Sequence, residues 1–284
     1  MCSVVLLPDL QGKVNKMAIS ALHSASTGLS ALSQELDIIA NNLANVNTNG
    51  FKASRANFED LLYQEKKQPG VENATGSLTP MGQFVGLGTR ISNTQLDFTK
   101  GAPVPTSSPL DMYINGTGFF KVTIPDSQGG SGYTRAGNFV LNSEGEIVLG
   151  NSDGPRMNPS ITVDAEATNI TISSDGRITA LLPGETEVTE IGQVDLASFV
   201  NPTGLKSIGG NLYVETAASG APIEGTPGEG NLGGIIQSHL ETSNVDAVTE
   251  LVKLIKTQRS FEMNSQSIQA ADEAMQVISN LRRF

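Results

Sequence analysis

Apolar residues recur every seven positions at both ends of the chain, and the long stretch between them reads as strands and turns. Near the N-terminus Leu22, Leu29, Leu36 and Leu43 form one row, with Ala25, Leu32, Ile39 and Val46 each three residues behind. Near the C-terminus Leu254, Phe261, Ile268 and Met275 repeat the interval. A seven-residue repeat on a helix stays in register with a partner helix, so each end requires another helix to pack against. The spacing predicts a first helix from about Ser20 to Val46, with Gly28 costing up to ~1 kcal/mol relative to Ala. It should close where Asn47, Thr48, Asn49 and Gly50 follow, since these residues tolerate left-handed backbone. The last helix is expected from Ser243 or Asn244, with Ser243 as its cap and Asp246 and Glu250 near the positive end of the dipole. It should run to about Leu281, with Arg282 and Arg283 at the negative end. At ~1.5 Å per residue that makes a rod of roughly 57 Å, longer than one small domain covers.

Between the helices, Ile114 to Val122, Phe139 to Leu149, Ile170 to Ile172 and Gln193 to Phe199 read as short strands separated by Asn-Gly, Ser-Glu-Gly and Ser-Asp-Gly turns. Pro69 to Pro109 reads as an extended arm, and Thr216 to Gly234, with Pro222, Pro227 and many glycines, as a linker. Residues 141–230 carry 13 acidic and 3 basic side chains, whereas residues 244–284 carry 5 of each. An acidic middle repels like surfaces, and a neutral helix can pack among copies of itself. Nothing here forms the basic stripe that nucleic acid requires, so no nucleic-acid partner is expected. No apolar run approaches the roughly 20 residues that span a bilayer, so no direct membrane insertion is expected either. Val4 to Leu7, with no basic residue before it, is too poor for a secretory signal.

Residues suited to catalysis are sparse. Cys2 is the only cysteine, which excludes an intrachain disulfide and a cysteine-based metal site. His23 and His239 are the only histidines, and no nucleophile elbow accompanies them. Gly86-Leu87-Gly88 and Gly116-Thr117-Gly118 lack the third glycine of a dinucleotide loop and the lysine of a phosphate loop. Glu185, Glu187 and Glu190 could pair for glycan hydrolysis, but no aromatic residue lies nearby to stack a sugar. Asp153, Asp164 and Asp175 are too widely spaced for a calcium loop. No catalytic residue, cofactor or metal site is therefore expected.

The run Ile39-Ala40-Asn41-Asn42-Leu43-Ala44-Asn45-Val46-Asn47-Thr48-Asn49-Gly50-Phe51-Lys52 closely resembles the N-terminal signature of flagellar rod and hook proteins. Ser243-Asn244-Val245-Asp246 and Gln258-Arg259-Ser260-Phe261-Glu262-Met263-Asn264-Ser265 resemble the C-terminal signature of the same family. Leu110 to Phe120, Tyr133 to Phe139 and Asn211 to Thr216 resemble its β core. The run from Phe58 to Gln64, followed by Gln68-Pro69-Gly70, is most similar to the distal-rod branch. Ser238 and His239 depart from it, standing where the family tends to have Gly and an aromatic residue, and Phe261 replaces a common Tyr. Residues 1–16 have no counterpart in the family, and Met17-Ala18-Ile19-Ser20 resembles its usual start, as if the start codon had been set too early.

The resemblance implies an α+β fold: long N- and C-terminal helices packed as a coiled coil, a β-rich central domain and an extended β arm. Its expected divisions are 1–16 (extension), 17–49 (first helix), 50–109 (arm), 110–235 (β domain) and 236–284 (last helix). It further implies a structural subunit of the bacterial flagellar basal body. This subunit would be exported by the flagellar type III apparatus and polymerised helically into the distal rod, which crosses the periplasm and carries torque from motor to hook. Partners would be other copies of itself, proximal rod proteins, hook protein, the P- and L-ring proteins, a rod cap and the export apparatus. A proximal-rod or hook-type subunit is the nearer alternative, and a secreted wall hydrolase the remote one. The expected polymerisation interface comprises Leu22, Leu29, Leu36, Ile39 and Leu43 with Leu254, Phe261, Ile268 and Met275. Asn41, Asn42 and Asn45 join it if their amides bond neighbouring backbone; the other reading is that they only loosen the helix end.

Overall fold

The computed structural model describes residues 7–70, 80–125, 127, 129–164, 167, 169–182 and 188–281, with the side chains of 7–19, 278, 279 and 281 left aside. Arg282, Arg283, Glu185, Glu187 and the apolar start at Val4 lie outside the described residues. The fold is mixed α+β, with one helix at each end, α1 (Leu7–Ala44) and α2 (Ala247–Leu281), and a β-rich middle. It divides into two compact units. A helical unit comprises Met1–Asn41, Ser54–Gln95 and Val248–Phe284, and a β unit comprises Asn42–Ala53 and Leu96–Ala247.

In the helical unit two contacts set α1 beside α2. A Cβ on Gly28 would lie 2.5 Å from Asn264 Nδ2, and Thr257 Oγ1 donates to Glu35 Oε2 at 3.3 Å. Stepping back from Glu35 to Gly28 on α1 steps forward from Thr257 to Asn264 on α2, so the helices run antiparallel at a seven-residue interval. Gly28, expected as a weak point, is where the Asn264 side chain of α2 reaches α1. The same unit holds a nested hairpin. Its outer pair is Ser54–Asp60 with Thr89–Leu96, and its inner pair Tyr63–Lys67 with Gln83–Gly86, in which Gln64 faces Val85. The hairpin meets α1 where Ser24 Oγ donates to Gly86 O at 3.3 Å. Gly88, at φ +109°, sits so close to Thr27 that a side chain there would collide with it.

The β unit is built on an antiparallel sheet. Phe119–Thr123 lies centrally between Ser131–Thr134 and Arg156–Met157 and also pairs with Leu196–Ser198. Alternation along the central strand serves two cores. Phe120 and Val122 join Met112, Ile114, Phe139, Ile147, Leu149 and Ile178, whereas Phe119 stacks edge-on with Phe98, Phe199 and Tyr213.

Several expected boundaries are revised. Ile114 to Val122 is two strands in different sheets, Met112–Asn115 and Phe119–Thr123, parted by Gly116 (φ +151°) and Gly118 (φ +128°). A Cβ on Gly116 would lie 2.6 Å from Gly233 Cα, so the backbones touch there. The expected linker from Thr216 to Gly234 contains a strand, Ile223–Gly225, paired with Leu196–Ser198. Three residues are too few to show alternation in sequence. α1 begins upstream of Ser20, at Leu7, and stops at Ala44 rather than Val46. There Asn45 and Val46 turn back with N–H bonds to Asn42 O and Leu43 O. α2 begins at Ala247, because Asn244 is occupied elsewhere: its Oδ1 accepts from Ala53 N at 2.7 Å and its Nδ2 donates to Asp97 O at 2.7 Å. Ser243 Oγ accepts from Val245 N instead of capping a longer helix.

Candidate assembly surfaces

α2 has two sides of different character. From Glu250 onward its less exposed side follows alternating steps of four and three: Glu250, Leu254, Thr257, Phe261, Asn264, Ile268, Ala271 and Met275. Leu254, Phe261, Ile268 and Met275, the expected row, lie on this side and are half-buried. They share it with Thr257 and Asn264, the two residues that meet α1. At 100° per residue the opposite side presents Leu251, Val252, Ile255 and Met263 to solvent, with Val252 60% and Ile255 57% exposed. Both sides thus mix large apolar groups with polar ones, and those on the solvent-facing side stand in water.

On α1 the expected leucine row is displaced from the centre of the contact. Leu22, Leu29 and Leu36 are half-buried along its flank, while Gly28, Ala31 and Ile39 are buried. Gly28 leaves room there for the Asn264 side chain. Among the asparagines, Asn41 is exposed. Asn42 and Leu43, in the β unit, are buried and half-buried respectively. Asn45 Oδ1 accepts from Thr48 Oγ1 at 3.0 Å. Asn45 also lines an open, uncharged cleft of about 370 Å³ with Asn49, Asn138, Asn151 and Asn211.

Sequence reasoning missed a buried ionic clasp in the β unit. Lys52 and Glu241 are almost wholly enclosed, and Lys52 Nζ donates to Glu241 Oε1 at 2.7 Å and to Thr99 O at 2.7 Å. Gly101 N donates to the same carboxylate oxygen at 2.9 Å. Arg135 Nη1 approaches Glu241 Oε2 at 3.5 Å, Nη2 donates to Gly116 O at 2.6 Å, and the guanidinium lies 5.6 Å from the centre of the Phe119 ring. Burial lowers the Lys52 and Arg135 pKa values against the pull of Glu241. Desolvation is the leading cause of both shifts, and burial of this kind makes the loss of one partner costly to the other. It joins Lys52, Thr99, Gly101 and Glu241, all close to points where the chain enters or leaves the β unit. A charged residue in each of two quoted signatures, Lys52 and Arg135, was the available signal; their common partner Glu241 stands in no distinctive pattern.

Comparison with known proteins places the chain in a family. Residues 22–52 match the family described as flagella basal body rod protein, and residues 113–180 match the flagellar hook protein FlgE/F/G D1 domain. Residues 236–281 match the flagellar basal body rod FlgEFG protein C-terminal family. The flagellar basal-body rod protein FlgG of Buchnera aphidicola subsp. Acyrthosiphon pisum is 45% identical, covering 93% of this chain and 100% of the relative. The protein of that name from Caulobacter vibrioides is 43% identical at the same coverage of both chains. That from Bacillus subtilis is 36% identical, again over 93% and 100%. The clasp thus lies in segments typical of rod proteins, with Lys52 and Glu241 inside the two terminal matches and Arg135 inside the central one. The chain belongs to the FlgG family of flagellar basal-body rod proteins, the structural subunits of the rod.

Proposed function

We propose that this chain polymerises helically into the distal rod, the shaft that carries torque from motor to hook. The observation behind this is the solvent-facing side of α2, where Leu251, Val252 and Ile255 stand exposed opposite the side that meets α1. Large apolar side chains grouped on one exposed helix side mark a surface for a partner, and one copy leaves this side uncovered. Each of these side chains, once covered, contributes about 1.5–3 kcal/mol, which favours assembly over the monomer.

In the assembled shaft α1 and α2 pack as a coiled coil in an inner layer. Leu22, Leu29, Leu36, Ile39, Asn41, Asn42 and Leu43 lie on one helix of that layer, with Asn45 in the turn that follows it, and Leu254, Phe261, Ile268 and Met275 lie on the other. Close-packed helices yield little to strain, which gives the shaft its stiffness. The nested hairpin, on which Phe58, Leu62, Tyr63, Met81 and Phe84 are exposed, acts as an extended arm that locks neighbours straight. Two paired strands are marginal alone, so such an arm gains order from a neighbouring surface. The flanking partners would be proximal rod and hook proteins, with P and L rings around the shaft and a rod cap and export apparatus serving its growth.

The test is a chromosomal Val252→Asp/Ile255→Asp variant, with purified basal bodies imaged for a tag on the β unit. Expected are a folded protein, no tagged rod between proximal rod and hook, and loss of motility. Tagged, full-length rods in that variant would overturn the proposal.

A further inference from the structure

In the β unit the turn after α1 and three other segments bring Asn45, Asn49, Asn138, Asn151 and Asn211 to the uncharged cleft of about 370 Å³. Three of these amides are held by one end. Asn138 Nδ2 donates to Gly150 O at 3.0 Å, Asn151 Oδ1 accepts from Gly154 N at 2.8 Å, and Asn211 Nδ2 donates to Asn49 O at 2.9 Å. Their other ends, Oδ1 of Asn138 and Asn211 and Nδ2 of Asn151, have no partner among the described residues, and neither has the side chain of the exposed Asn49. Turn chemistry accounts for each asparagine singly, but not for their convergence from four segments. Fixed amides that offer both donors and acceptors and no charge suit an uncharged peptide, whose backbone groups pair with them in kind. No aromatic side chain lines the cleft to stack a sugar.

The same unit carries a matching surface. Residues 141–230 hold 13 acidic and 3 basic side chains, so two copies approach most readily where charge is missing. Within that acidic stretch the turn at 216–222, which follows Glu215, has no ionisable residue, and its Ala217, Ala218, Gly220 and Ala221 are exposed. Its shape is set from within, because the buried Ser219 donates from N to Thr216 O at 3.1 Å and accepts through Oγ from Thr216 N at 3.0 Å. The strand Leu212–Val214 runs between Asn211 and this turn, so cleft and turn stand at opposite ends of one strand.

We propose that the turn at 216–222 of one copy seats in the asparagine cleft of the next, its backbone at Ala217 and Ala221 meeting the side-chain amides. This rests on the reading of the chain as a polymerising rod subunit and gives it a contact made by the β unit. Two different surfaces at opposite ends of one strand join head to tail, the kind of contact from which open filaments grow and which a two-fold pair does not provide.

Disulfide trapping tests the pairing in rods isolated from cells carrying the full chain with Cys2→Ser. Asn49→Cys and Ala217→Cys both fall at exposed positions. On oxidation the double variant N49C/A217C should give a ladder of covalent multimers, and each single variant none. Covalent dimers from Asn49→Cys alone, or rods that assemble normally and give no ladder, would overturn the pairing while leaving polymerisation intact. Should the double variant not assemble, Asn49→Asp supplies a second measurement, because its carboxylate would be left unpaired against an uncharged turn. With an unchanged thermal midpoint it should enter rods in clearly smaller amount than the parent, and equal amounts would overturn the pairing. If the Cys2→Ser parent itself enters no rod, the polymerisation reading falls and this contact with it.

Discussion

In the β unit Phe119 and Phe120 are both buried, on opposite sides of one strand, and even Lys52 and Glu241 are enclosed with their charges paired. In the helical unit Val252 and Ile255, side chains that would be core in most helices, stand more than half in water. The first region covers these side chains within one chain, and the second leaves Val252 and Ile255 open. Side chains of the first kind should respond to mutation by changing folding, and those of the second by changing assembly.

The largest expected effect on stability is in the clasp. Glu241→Ala strands the Lys52 ammonium and Arg135 in a buried site, and should destabilise the β unit by about 3–5 kcal/mol in urea unfolding. Gly28→Leu displaces the Asn264 side chain from its seat on α1 and should cost ~1–3 kcal/mol, seen as earlier loss of helical signal while the β-unit transition stays in place. Ser238→Gly should act the other way. Ser238 is held at φ +56°, where a side chain is strained, so glycine should raise stability by up to ~1 kcal/mol, measured as an upward shift of the thermal midpoint. Smallest in stability is Ile255→Asp, expected within about 0.5 kcal/mol of the parent by urea unfolding, because the site is exposed in the monomer. A large loss of stability in that variant would place Ile255 in the intramolecular core and erase the contrast between the regions.

Much of the fold was legible in the sequence, because periodicity reports which side chains want covering. The heptad rows placed both helices, and the polar signals Asn47 to Gly50 placed the turn after α1. Periodicity does not report which of two apolar sides finds its partner at home. On α2 the row Leu254, Phe261, Ile268 and Met275 is more regular than Leu251, Val252 and Ile255, yet it is the second that one copy leaves uncovered. On α1 the leucine row is only half-buried, while Gly28, where the Asn264 side chain of α2 reaches in, is buried, and hydrophobic patterns overlook glycine. The clasp was invisible for another reason: Lys52 and Glu241 lie 189 positions apart, and no local rule relates them. The departure at Ser238, noted from the family resemblance, proved to mark a left-handed backbone position where glycine is at ease.

The central claim is that the outer side of α2 is open in the single chain and closed by a neighbour in the rod. Thiol labelling of Val252→Cys and Ile255→Cys, in a Cys2→Ser chain, measures this directly in monomer and in isolated rods. Rapid labelling of the monomer and strong protection in the rod is the predicted result; equal labelling rates in the two states would contradict it.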